Sequence, residues 1–171
     1  MAVTARTWTS GEVVTAAMMN TLRDDINTVD TGPGFIATGR VTSTHTNATT
    51  TLSDVTGISF AIAASEIWAF VAFIHTNAPA AADIKFDCTV PSGATGRLGT
   101  HGGTVEVPPG SATIGTTVAV STSGAQIMVT VAGTIVNSTN AGTVQLQSAQ
   151  VVASGTNSIL INSWFVAVRL L

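Results

Sequence analysis

The side chains able to do chemistry in this 171-residue chain are few and scattered. His45, His75 and His101 stand alone, with no HExxH, no HxH pair and no carboxylate at the spacing of a local metal site. Each reads as a hydrogen-bonded loop or strand histidine. Glu66, Asp83, Asp87 and Glu106 are the candidates among the five carboxylates of the region after residue 34. Two of them facing one another across strands would make an acid/base pair; otherwise they supply edge charge and turn chemistry. Cys88 is the only cysteine, which excludes an intrachain disulfide or a CxxC pair and leaves a small buried side chain with an inert thiol. The serine elbow of hydrolases and the glycine-lysine loop that cradles phosphates are both missing. Gly93-Ala-Thr-Gly-Arg-Leu-Gly-Thr-His-Gly-Gly is rich in glycine, but no helix follows it to aim amides at an anion. It reads as a long surface loop, where Arg97 and His101 are placed to touch a receptor or a neighbouring protein. This inventory points away from an enzyme and implies neither cofactor nor metal.

Composition narrows the classes further. Only 9% of residues are charged while 45% are hydrophobic, and mean hydropathy is +0.45, against about a quarter charged in an average soluble domain. Either the chain lies in a membrane, or it hides much of its surface against copies of itself or a larger assembly. The membrane reading fails on pattern: the most apolar stretch, 58–74, carries Glu66 at its centre and no basic flank, and reads as two strands around a turn. The first residues lack the basic and apolar regions of a secretory leader. A net charge of -3 with six scattered Lys and Arg offers no basic stripe for nucleic acid. Sequons at Asn47 and Asn137 would matter only in a chain secreted by a eukaryote.

The elements follow from the periodicities. Residues 1–10 form a polar, β-prone arm around Trp8. Thr15 is placed to cap a helix over 16–29, whose Met19, Leu22, Ile26 and Val29 are spaced three, four and three apart in a heptad-like seam. That seam suits a short junction between copies, or packing on the chain's own sandwich or on another protein of an assembly; two heptads do not hold a coiled coil alone. Gly32, Pro33 and Gly34 end the helix as a hinge, so the expected units are 1–34 and 35–171.

After residue 34 the pattern is all-β. Strands are expected near 35–42, 49–55, 58–63, 67–75, 84–90, 105–107, 116–121, 127–136, 143–150 and 158–170. So many short strands in about 135 residues, without a helix to cover a parallel sheet, fit an antiparallel jelly-roll-like sandwich. Alternation is clearest where Val144 and Leu146 point one way and Gln145 and Gln147 the other. By contrast 67–74 and 159–168 are apolar on both faces, which predicts that these strands meet a neighbouring subunit. Trp68, Phe70, Phe73, Trp164 and Phe165 are the contacts expected there.

The run from Arg6 to Ile26, with Trp8, Gly11, Glu12, Val14, Thr15, Ala16, Met19, Asn20, Arg23 and Asp24, resembles the start of many small tailed-phage virion proteins. The later segments Leu52-Ser-Asp-Val-Thr-Gly-Ile-Ser-Phe, Ile84-Lys-Phe, Gly142-Thr-Val-Gln-Leu-Gln-Ser-Ala-Gln and Ser163-Trp-Phe resemble the sandwiches that follow this motif. These are similar to the tumour-necrosis-factor-like jelly roll. The resemblance implies a non-enzymatic homotrimer on the outside of a bacteriophage particle, made in the bacterial cytoplasm. It would be a capsid decoration protein, a head fibre or a tail-fibre component. Its arm, through Trp8, Glu12 and Val14, would dock on major capsid or tail proteins. The alternative of a different class is a receptor- or carbohydrate-binding module of a phage tail, contacting a host surface through 93–103 or the 77–83 loop.

Overall fold

The computed structural model describes residues 15–17, 19–20, 36–102 and 111–170. The chain divides into two units, Met1–Gly34 and Phe35–Leu171. In the first, the Met19 N–H donates to the Thr15 carbonyl at 3.1 Å, the bond of a helical turn opening after Thr15. Leu22, Ile26 and Val29 of the expected seam, and Trp8, Glu12 and Val14 of the arm, lie outside the described residues.

The second unit is built of antiparallel strands. The first six are β1 (Ile36–Arg40), β2 (His45–Asn47), β3 (Ser53–Ile62), β4 (Ile67–Asn77), β5 (Ile84–Thr89) and β6 (Thr95–Gly102). The others are β7 (Ser111–Thr113), β8 (Val118–Val120), β9 (Gln126–Val136), β10 (Gly142–Gln150), β11 (Asn157–Ile159) and β12 (Trp164–Arg169). One sheet of eight strands runs β1-β12-β4-β9-β6-β7, with β2 and β11 joined to it through β4, and one of four runs β3-β10-β5-β8. Set aside the short β2 and β11 and the inserted β6-β7 hairpin, and eight strands remain. They pair first with last (β1·β12), second with seventh (β3·β10), third with sixth (β4·β9) and fourth with fifth (β5·β8). This is the connectivity of a jelly roll, as the strand pattern predicted.

The core lies between the sheets. Trp68 and Phe70 of β4, Phe165 of β12 and Phe60 of β3 gather there, with ring centroids 5.3 to 6.1 Å from Phe60. Phe86, Leu98, Ile135 and Leu146 are fully or nearly fully buried around them. Two expected strands, 49–55 and 58–63, are one strand with a bulge. Opposite β10 the register slips between Gln145 and Gln147, and Gly57 there takes φ of 92°, a conformation natural only to glycine. A Cβ on Gly57 would stand 2.2 Å from the Arg40 carbonyl oxygen, and one on Gly39 2.6 Å from the Gly57 oxygen. Bare backbone is therefore what lets β1 of one sheet close against β3 of the other. The Gln145 side-chain amide reaches the bulge, its Nε2 donating to the carbonyls of Val55 (2.9 Å) and Ile58 (3.2 Å).

Candidate interaction surface

The strand register sets out what each sheet turns away from the core. On the outer face of the large sheet, Ile36 of β1 lies beside Val168, which lies beside Ala69 and then Thr134. The next outward row is Thr38, Val166, Val71 and Ala132, and the one after it Arg40, Trp164, Phe73 and Thr130. The apolar surface thus runs along the two middle strands, β12 and β4, and is extended by Ile36 and Ala132, while Thr38, Arg40, Thr130 and Thr134 border it on β1 and β9. Phe73 and Trp164 stack on it, with ring centroids 4.7 Å apart and planes 25° from parallel, and Trp164 is still 42% exposed. Arg40 sits beside this pair, its guanidinium donating to Asn162 Oδ1 at 3.1 Å. Asn162 adopts φ of 66° in the turn between β11 and β12.

The small sheet behaves differently. Its outward residues include Asp54, Ser59, Thr143, Gln145, Gln147 and Lys85, with Gln147 donating to Asp54 Oδ1 at 2.8 Å. One outer face is built for water and the other is not.

This placement corrects the sequence reading of the two-sided strands. Trp68, Phe70 and Phe165 are not at a subunit surface: they are 1%, 6% and 1% exposed in the core of their own sandwich. Of the five aromatic side chains expected to meet a neighbour, only Phe73 and Trp164 point outward. Strand alternation carries the distinction: Trp68 and Phe70 share a face with Ile74, and Phe73 with Val71. The glycine-rich segment is also corrected. It is not a loop but strand β6, paired to β9 and β7, and it places Arg97 opposite Thr134 and His101 opposite Thr130 on the same outer face. Val71, Val166, Val168, Ile36 and Met128 complete the surface, and the sequence signal for them was the same alternation.

Glu66, Asp83 and Asp87 serve the fold, while Glu106 lies outside the described residues. Glu66 and Asp83 flank β4, whose eleven residues span about 35 Å at about 3.3 Å each, so they form no acid/base pair. Glu66 Oε1 accepts from Arg169 at 2.7 Å, and Oε2 accepts from the Trp68 indole and the Ala63 amide, both at 2.8 Å. Burial pushes this carboxyl up, but the bonds from Arg169, Trp68 and Ala63 and the Arg169 charge outweigh it and hold it below its ordinary value. Asp83 Oδ1 accepts from the Thr122 amide at 2.8 Å, and Asp87 Oδ1 from the amides of Cys88 (2.8 Å) and Gly115 (3.1 Å). Burial, with the Asp87 charge beside it, pushes the Cys88 thiol up to about 12, which keeps it protonated and unreactive at neutral pH.

His45 Nε2 lies 3.3 Å from Ser53 Oγ, the one nucleophile-and-base pairing among the described residues. Ser53 Oγ is tied down by Asn47 Nδ2 at 2.8 Å, and the neighbouring Asp54 bonds Gln147. The carboxylate therefore does not orient the imidazole as a hydrolytic triad requires. Burial, partly offset by Asp54, lowers the His45 pKa and favours its neutral form. No group of three or more His, Cys, Asp or Glu among the described residues is placed to hold a metal ion. Asn47 and Asn137, the two sequon residues, are 8% and 6% exposed. The Nδ2 of Asn47 bonds Thr51 O, Ser53 Oγ and Ser148 O, and that of Asn137 bonds Ala63 O and Asn140 O, so in the folded domain neither amide is open to modification.

In comparisons with known proteins, no family model matches the chain and no curated protein matches its sequence.

Proposed function

We propose that this chain is a non-enzymatic structural protein of a bacteriophage particle. It is a trimeric jelly roll displayed on the particle exterior as a capsid decoration protein, head fibre or tail-fibre component, and attached through its N-terminal segment. The observation that carries this reading is the contrast between the two sheets. The outer face of the large sheet is apolar along β12 and β4, with Ile36, Ala132 and Met128 on the strands beside them, while that of the small sheet is polar, as expected of a subunit that works only in an assembly. Scarcity of charge agrees, since 9% charged residues suit a chain with much of its surface covered. The run from Trp8 to Asp24 supports the phage assignment and the docking role of the arm. Among the described residues the carboxylates Asp54, Glu66, Asp83 and Asp87 and the buried thiol are committed to turns, strands and core, which leaves the non-enzymatic reading the simpler one.

Gold-labelled antibody against the jelly roll, applied to intact particles, tests this. Label at regular positions on heads or tails is expected, with loss of the label from particles whose copy lacks the residues before Gly32. Particles that never carry label overturn the proposal. The second reading, a receptor- or carbohydrate-binding module, has one observation in its favour: the stacked Phe73–Trp164 pair beside Arg40 is a flat aromatic platform of the kind sugars stack on. Glycan-array binding abolished by Trp164→Ala would favour it.

A further inference from the structure

We infer that the outer face of the eight-stranded sheet, centred on the Phe73–Trp164 stack, is the surface on which one copy of this chain packs against another. The inference rests on the oligomeric reading above and adds which face is used and by whom.

Size is the first argument. Ile36, Met128, Val136, Trp164, Val168 and Leu170 all belong to this side of the large sheet and are between 40 and 63% exposed. At roughly 200 Å2 for a fully exposed large side chain they leave about 600 Å2 of surface, and the half-buried Val71, Phe73 and Val166 bring the face to about 700 Å2. That approaches the share of each partner in a standard stable interface, about 800 Å2, and exceeds the largest apolar patch of most monomers, about 300–600 Å2.

Shape is the second. The face is four strands wide, β1 to β9, and strands lie about 4.8 Å apart. A single helix about 10 Å across covers roughly half of it, whereas a second sheet covers it all. The third argument is charge. The charged and titratable groups of this face, Arg40, Arg97, His75 and His101, sit around its margin, and no carboxylate lies on it among the described residues. An uncharged apolar patch with Trp164 beside Arg40 toward its margin, and polar groups outside it, is the composition of an interface hot spot and its rim.

Two measurements on the full chain test this together. In light scattering, Trp164→Glu and Val168→Glu, both at partly exposed positions, should lower the mass to that of one chain, while Thr143→Glu on the small sheet should leave it unchanged. In carbene footprinting of the unsubstituted protein, Trp164 and Met128 should be labelled at least fivefold less than their exposure in the single chain implies. This second readout stands even if a variant fails to fold. An oligomer that survives both substitutions, with Trp164 freely labelled, overturns the choice of face and leaves the oligomeric reading intact. A single chain with Trp164 protected assigns the face to the chain's own N-terminal segment and overturns both. A single chain with Trp164 labelled also overturns both.

Discussion

Glu66 gives the sharpest quantitative handle on what holds the sandwich. Its carboxylate takes three hydrogen bonds, from Arg169, Trp68 and Ala63, at the turn where the chain leaves β3 for β4. Glu66→Ala strips the acceptor from all three donors at once. Breaking a buried ion pair costs about 3–5 kcal/mol, and because the Arg169 side chain is 25% exposed and rehydrates in part, the lower end, about 3 kcal/mol, is expected. Glu66→Gln keeps the shape but turns an NH2 group toward at least one of those donors, and should cost about 2 kcal/mol. The charge also gives a pH signature. A carboxyl held below its ordinary value of 4.5 contributes stability that is fully present above that value and is lost as the pH falls through the folded-state pKa. Urea unfolding at fixed protein concentration, at pH 7 and again between pH 5 and 3, measures both effects. The unsubstituted protein should lose stability over the acid range more steeply than Glu66→Gln. A cost below about 0.5 kcal/mol for Glu66→Ala, the size of an exposed surface pair, or identical acid slopes, would refute the reasoning.

Three further outcomes follow from the same structure. Gly57→Ala forces a side chain into φ of 92° and onto the Arg40 carbonyl, and should cost at least about 3 kcal/mol by the same denaturation assay, where an ordinary strand glycine would gain from the change. Cys88 should not react with a thiol reagent at pH 8 in the folded protein and should react fully in urea, so rapid labelling of folded protein counts against its burial. Because burial lowers the His45 pKa, its neutral form is favoured by folding: its contribution to stability is present above pH 6.5 and declines below it. His45→Gln should flatten that part of the stability profile, and an unchanged profile would remove His45 from the account.

The sandwich was legible because alternation is strong where one face is polar. The run Val144, Gln145, Leu146, Gln147 shows its two sides openly, and β10 lies where expected. Alternation says less where both faces are apolar: β4 reads the same from either side until its end, where buried Thr76 and exposed His75 mark the faces. That is why Trp68, Phe70 and Phe165 were grouped with Phe73 and Trp164. The strand β6 was hidden for another reason. Gly96, Gly99 and Gly102 depress its strand propensity, yet a Cβ on Gly96 would stand 2.3 Å from the Thr134 carbonyl, so glycine there marks close backbone approach and not a loop. Buried amides such as Asn47 and Gln150 were equally invisible, since residue type alone assigns them to the surface; their burial depends on the backbone groups that surround them. The arm residues Trp8, Glu12 and Val14 carry the phage resemblance and lie outside the described residues, so the docking role rests on sequence.

The mass of the purified full-length chain in solution, by light scattering at micromolar concentration, tests the central claim most directly. The account predicts three times the 17.3 kDa of one chain, independent of dilution over a tenfold range. A mass of 17.3 kDa at every concentration would contradict it.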